Sequence, residues 1–154
     1  MARVTLEILR GPYRPALAGG LQVESCRLLT DLSLQCGRAW TPFLPGIVDT
    51  GAPLSLLPRR VWQSADVSHM GRILVGGLNR RQECMFEVTL AVVVLAIRDR
   101  FNENQPVEAH ALLADTDDVP TLLGMRGVLT ELVLHTDIRR GEAYVETTQN
   151  DPTL

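Results

Sequence analysis

The chain has 154 residues, enough for one well-buried core and too few for two ordinary lobes. Its 45% hydrophobic and 21% charged residues are a globular balance, and 15 basic against 18 acidic side chains, mixed along the chain, leave a net charge of −3. That mixture excludes the basic footprint of a nucleic-acid or anionic-membrane binder and points to a protein, peptide or small-molecule partner.

Taken in chain order, most of the sequence predicts short β segments separated by turn residues. "RVTLEIL" at 3–9 sets Val4, Leu6 and Ile8 against Thr5 and Glu7, the period-two pattern of a strand with one buried face. Charge at Arg3, Glu7 and Arg10 leaves no apolar core of signal-peptide length in this stretch. The turn-rich "GPYRPALAGG" follows, then two strand-like pieces, "LQVESCRLL" and "DLSLQC", and a break at Gly37. In "AWTPFLPGIV", Pro42 and Pro45 argue against a central strand before Gly46. A short helical turn is expected at 59–63. The segment from Gly71 to Asp99 reads as two apolar arms around Gly76, Gly77, Leu78 and Asn79, a β-hairpin with a glycine-rich tip. Its most apolar part, "LAVVVLAI" at 90–97, is far below the roughly 20 residues that span a bilayer. "NENQP" is a polar turn and "VEAHALLAD" a further strand. "TLLGMRGVLTELVL" at 121–134 is the best helical candidate, because Leu122, Met125, Leu129 and Leu132 can share a face. "EAYVET" alternates again, and 148–154 is a loose tail. The predicted class is all-β with one short C-terminal helix.

Several chemistries find no support. Cys26, Cys36 and Cys84 are an odd number without a close pair, neither a disulfide framework nor a zinc pattern, and are expected as buried thiols. His69, His110 and His135 lack metal-ligand spacing. Ser55 has no Gly-x-Ser-x-Gly elbow around it, and Gly76-Gly77 lacks the remaining glycines, the Lys and the helix of a phosphate loop. No metal and no cofactor is predicted.

Asp49 is the unusual acid. It follows Gly46-Ile47-Val48 and precedes Thr50-Gly51-Ala52, so a strand delivers it into a small tight loop whose neighbours are too short to shield it. An uncompensated carboxylate in apolar surroundings is costly. Two explanations fit the local pattern, an Asp that staples its own turn and an Asp placed for chemistry.

"IVDTGA", with "TLLG" 72 residues on from Asp49, resembles the retropepsin-like aspartic proteases, the single-domain group of retroviral proteases and small bacterial relatives. The likeness runs over roughly 28–132 in the family's order. "LSLQCGRAWTPFLPGIVDTGA" is similar to the hairpin entering the catalytic loop, "RILVGGLNRRQECMFEV" to the flap and its return strand, and "AHALLADTDDVPTLLGMRGVLTEL" to the strand, hydrophobic-hydrophobic-Gly element and helix that close the fold.

The resemblance implies a closed acid-protease barrel over 28–147 with a flap hairpin. It implies that Asp49 is the catalytic carboxylate, that Thr50 ties two loops together through its hydroxyl, and that Gly51 lets backbone and substrate approach. Ala52, Ile47, Leu122 and the flap residues Gly76, Gly77 and Leu78 would contact substrate. Leu123 and Gly124 would pack beside the catalytic loop. Retroviral members follow this Gly with an Arg and an Asp or Asn that brace the loop; here Met125-Arg126-Gly127 follows Gly124, so Arg126 is displaced by one place from that bracing position. Pro53 replaces a residue that is polar or acidic in retroviral members, a choice associated with bacterial relatives. Residues 1–27 exceed the minimal domain and have two readings, a removable propeptide or additional strands at a dimer interface.

Such chemistry needs two carboxylates, and a lone Asp49 supplies half. "ADTDDVP" does not supply the other, because Asp117 stands where a glycine is needed, and reads instead as a solvated acidic turn. The expectation is therefore a homodimer with one Asp49 from each copy on a two-fold axis, hydrolysing extended polypeptide between largely hydrophobic residues. The alternative is a retropepsin-fold dimerisation or peptide-binding module, weak or latent as a catalyst; weaker still is an unrelated β-barrel in which Asp49 only pins a turn. The missing signal and unpaired cysteines predict a cytoplasmic location, and Pro53 a bacterial source.

Overall fold

In the computed structural model, which describes residues 3–13, 23–76 and 85–147, the alternating segments become strands. They are β1 (Arg3–Thr5), β2 (Glu7–Tyr13), β3 (Val23–Cys36), β4 (Ala39–Trp40), β5 (Leu44–Val48), β6 (Ser55–Leu57), β7 (Ser68–Val75), β8 (Phe86–Arg98), β9 (Val107–Ala114), β10 (Leu122–Leu123), β11 (Leu132–Asp137) and β12 (Glu142–Thr147), with one helical turn, α1 (Arg59–Trp62). Among the described residues no helix is long and apolar enough to cross a membrane.

Six strands close into a barrel in the order β3-β5-β10-β6-β9-β8, and β8 returns to β3 through the pairs Asp31–Arg98 to Leu34–Leu95. Closure leaves these strands without a free edge where they pair, which satisfies their backbone groups without further cover. The interior is filled by alternate residues such as Leu32, Leu34, Leu57, Val93, Leu95 and Leu113, each at most 1% exposed. A fully buried side chain of this kind stabilises by about 1.5–3 kcal/mol. Beyond the barrel, β2 extends the outer end of β3, and β7 extends β8 into a two-stranded arm.

A second, three-stranded sheet, β1-β12-β11, joins both ends of the described chain. Val4, Leu6, Leu132, Ala143 and Val145 from this sheet and its flank pack into the barrel's own core cluster. Asp99, in the turn after β8, fastens the arrangement by accepting N–H groups of Thr5, Phe101 and Asn102, each at 2.7 Å. Partial burial alone would raise its pKa, but those donors outweigh it and hold the carboxyl below the ordinary Asp value.

The structure departs from the sequence-based expectations in several places. The two pieces expected at 21–36 are one continuous β3, because Leu28 and Leu29 already pair with both β2 and β5, and Asp31 and Leu32 with both β5 and β8. With partners on both edges there is no reason for the chain to break. Pro45 lies inside β5. Ile47 N–H points to Thr121 O, so by two-residue alternation the Pro45 nitrogen faces the same edge, which β10 does not reach. Gly11 and Pro12 continue β2 rather than turning.

The expected helix at 121–134 is corrected to strand, turn, strand. Only Met125–Leu129 forms a single wide turn, bonded Leu129 N–H to Gly124 O and Thr130 N–H to Met125 O, and Arg126 and Gly127 inside it are not helical. Gly127 has φ of +80°, and a Cβ there would stand 2.2 Å from Glu108 O. Packing against β9 therefore overrides the apolar spacing. Cys26 is exposed and Cys36 half-buried, against the expectation of buried thiols, because both lie on β3 beyond its barrel pairs, Cys26 before Leu28 and Cys36 after Leu34; Cys84, like 148–154, lies outside the described residues.

Candidate active site

Asp49 directly follows β5, where the chain leaves the barrel, and its own backbone is held from two directions. Asp49 N–H donates to Leu123 O at 2.9 Å, continuing the parallel pairs Ile47–Leu122 and Val48–Leu123, and Ala52 N–H donates back to Asp49 O at 3.2 Å. One carboxylate oxygen, Oδ1, accepts the Gly51 N–H at 2.9 Å. The side chain thus staples its own turn and keeps its second oxygen for something else.

A second loop braces the first. Met125 N–H donates to Ala52 O at 2.9 Å, Arg126 N–H to Pro53 O at 3.1 Å, and Gly124 N–H to the buried Ser55 Oγ at 3.0 Å. Gly124 makes this approach feasible, because a Cβ on it would lie 2.4 Å from Leu54 O and 2.8 Å from Ala52 O. Its own backbone, with φ of −96° and ψ of −170°, is one any residue adopts, so the requirement is space alone. Ser55, without a hydrolase elbow, serves here as a loop clamp.

The site residues named from sequence divide as follows. Ile47, Asp49, Thr50 and Leu122 line one open groove of about 650 Å³. Leu123 is fully buried behind it. Gly51 and Thr50 are exposed at the loop's outer surface, Ala52 is half-buried, and among the described residues the Thr50 hydroxyl makes no hydrogen bond within the chain. Arg126 braces the Asp49 loop through its backbone N–H, while its exposed side chain enters no ion pair among the described residues.

The β7–β8 hairpin stands beside the groove. Its last described pair is Val75–Phe86, so Gly76 sits at the base of the connection rather than at the middle of it, and Gly77 and Leu78 lie outside the described residues. Val75 and Phe86 pack with Leu56, Val88 and Ala114 into a small apolar cluster that Leu122 also joins. The hairpin base and one wall of the groove therefore share side chains. Arg72 of β7 adds ion pairs to Glu87 at 3.2 Å and to Asp115 at 3.5 Å; the acidic turn is exposed, as expected, but is also held by Arg60 N–H on Asp117.

Sequence reasoning missed the opposite wall. Cys26, Arg27 and Leu28 of β3, with Leu134, Thr136 and Ile138 at β11, complete the groove. Only strand register could have found Arg27, since the pair Leu28–Val48 puts it beside the point where Asp49 leaves β5. Among the described residues, Asp49 is the only carboxylate lining the groove. A scan against protein-family models finds no match for the chain, and a comparison with curated protein sequences finds none either.

Proposed function

We propose that the chain is a retropepsin-like aspartic endopeptidase, active as a homodimer that brings two Asp49 carboxylates together. The observation that carries this is a single carboxylate, fixed in a doubly braced loop, in an open groove of mixed apolar and polar lining. Thr50 and Gly51, both exposed on that loop, are the groups a second copy would meet across a two-fold axis. One Asp49, ionised, takes a proton from water as the oxygen attacks a peptide carbonyl. The other, protonated, donates to the carbonyl oxygen and stabilises the charge that develops there. Extended polypeptide is the substrate, with Ile47 and Leu122 offering apolar contact and the β7–β8 arm closing over it; no cofactor takes part.

The Asp49–Gly51 hydrogen bond favours one competing explanation, in which Asp49 only pins its turn. The test separates the two. Wild type and Asp49→Asn are incubated with unfolded protein over mildly acidic to neutral pH, at several protein concentrations, and cleavage sites are identified. Asparagine keeps an oxygen for the Gly51 N–H, so stability should hold while cleavage falls by about 10²–10⁴-fold or more. Activity per chain should also fall on dilution as the dimer dissociates. Cleavage by both proteins alike, or by neither, would refute the proposal and leave the turn-pinning role.

A further inference from the structure

Resting on the proposed protease function, we infer that the Asp49 groove selects peptides with an acidic side chain near the cleaved bond, and that Arg27 reads it. Among the described residues, Arg27 and Asp49 are the only charged ones lining the groove. The register places them side by side along its length: Leu28 pairs with Val48, Arg27 is the next residue outward on β3, and Asp49 is the next on the other chain segment. They do not neutralise each other, since among the described residues neither takes part in an ion pair, and the exposed Arg27 guanidinium has no hydrogen-bond partner there. The arginine of the neighbouring strand is occupied. Arg10, on the neighbouring β2, donates to Ile138 O and so ties the end of β11 to the groove wall.

Leu28, Leu134 and Ile138 give the walls on the Arg27 side apolar surface, beside the polar Thr136 and Cys26. A bound peptide would displace water from these walls, so a carboxylate reaching Arg27 meets a cation in a lowered dielectric and can accept two parallel N–H bonds. A lysine at the same place meets a like charge, which adds rejection to attraction. Because the proposed dimer is two-fold, it carries Arg27 on both sides of the paired aspartates. The preference therefore applies to acidic residues on either side of the cleaved bond. Arg27 acts here as a specificity residue; it has no part in the proton transfers.

Peptides identical except for one Glu, Gln or Lys near the cleaved bond test this. With wild type, kcat/KM should fall about tenfold from Glu to Gln, between the value of an exposed ion pair and that of a buried charged hydrogen bond, and further for Lys. Arg27→Gln should abolish the Glu-over-Gln ratio, and Arg27→Glu should invert it in favour of Lys, a gain that misfolding cannot produce. Equal cleavage of the three peptides by wild type, or a preference that survives Arg27→Gln, overturns the inference. Binding of labelled Glu and Gln peptides to Asp49→Asn, read by fluorescence anisotropy, separates selection from catalysis. Tighter binding of the Glu peptide, lost on adding Arg27→Gln, supports the inference even where wild type cleaves nothing and the protease function fails. Loss of the dimer in Arg27→Glu, with no charge preference in wild type, assigns the arginine to a contact between copies and overturns it.

Discussion

Replacing Gly124 by alanine tests the bracing of the Asp49 loop at its tightest point. The added Cβ would stand 2.4 Å from Leu54 O, 2.5 Å from Leu54 C and 2.8 Å from Ala52 O, all backbone atoms that cannot rotate away. Restoring ordinary contact needs a separation of the two loops by roughly 1 Å, since non-bonded atoms settle near about 3.5 Å. The loops are joined by Met125 N–H to Ala52 O, Arg126 N–H to Pro53 O and Gly124 N–H to Ser55 Oγ, at 2.9, 3.1 and 3.0 Å. A shift of that size loses two or three of these bonds at about 1 kcal/mol each, and overpacking by itself costs about 1–3 kcal/mol. The expected destabilisation is about 3–6 kcal/mol. For a domain of this size that is a fall in Tm of about 6–24 °C, measured by circular dichroism at fixed protein concentration. Gly11→Ala is the control: nothing lies within 4 Å of its Cβ, so it should be neutral or slightly stabilising. Cleavage should drop more steeply than stability, because a 1 Å displacement of a catalytic group costs on the order of 10²-fold. A Gly124→Ala protein as stable as wild type would refute the close packing of the loops.

Gly127→Ala should be comparably severe for two reasons, positive φ and a Cβ 2.2 Å from Glu108 O, and should be read as a lowered denaturant midpoint. Leu6→Ala, at a side chain 3% exposed, should destabilise by about 2–5 kcal/mol, and deletion of residues 1–6 by more, since it also unpairs β1 from β12; an intact, equally stable truncation would show that the segment is dispensable. Asp99 sets an acid limit. Its folded pKa is depressed, so the stability it contributes is fully present above the unfolded value near 3.8 and is lost as pH falls through the lower folded value. Asp99→Asn should therefore be less stable than wild type at neutral pH, with the difference shrinking below about pH 4 in acid-dependent melts. Trp62→Phe removes the donor to Ala114 O at 2.8 Å and should lower stability by about 1–3 kcal/mol through the unpaired carbonyl.

Much of the local structure was legible in the chain. Period-two alternation marked β12 and the start of β1, although the single strand expected at 3–9 is divided at Leu6, whose N–H bonds Ala143 O, between β1 and β2 of different sheets. The short turn at α1 fell where the proline and arginines allowed it, and the two apolar arms of β7 and β8 pair as a hairpin. The odd position of Asp49 between an apolar strand and Thr50-Gly51 was visible without coordinates, because strand-to-loop transitions leave a compositional trace. The segment 121–134 was misleading, since Leu122, Met125, Leu129 and Leu132 match a helical face while Gly124 and Gly127 are present for contacts with Leu54 and Glu108 far away in sequence.

Sequence alone was enough for the β class, the turn-bounded strands and the singular acid, because each depends on neighbours within a few residues. Tertiary structure decided what depends on distant partners: the closure of β3 on β8, the union of the two chain ends in β1 and β12, and the bracing of Asp49 by Leu123, Gly124 and Ser55. It also decided that Arg27 and Ile138, 22 residues before and 89 after Asp49, share its groove. No local periodicity encodes such a meeting; only the register of paired strands does.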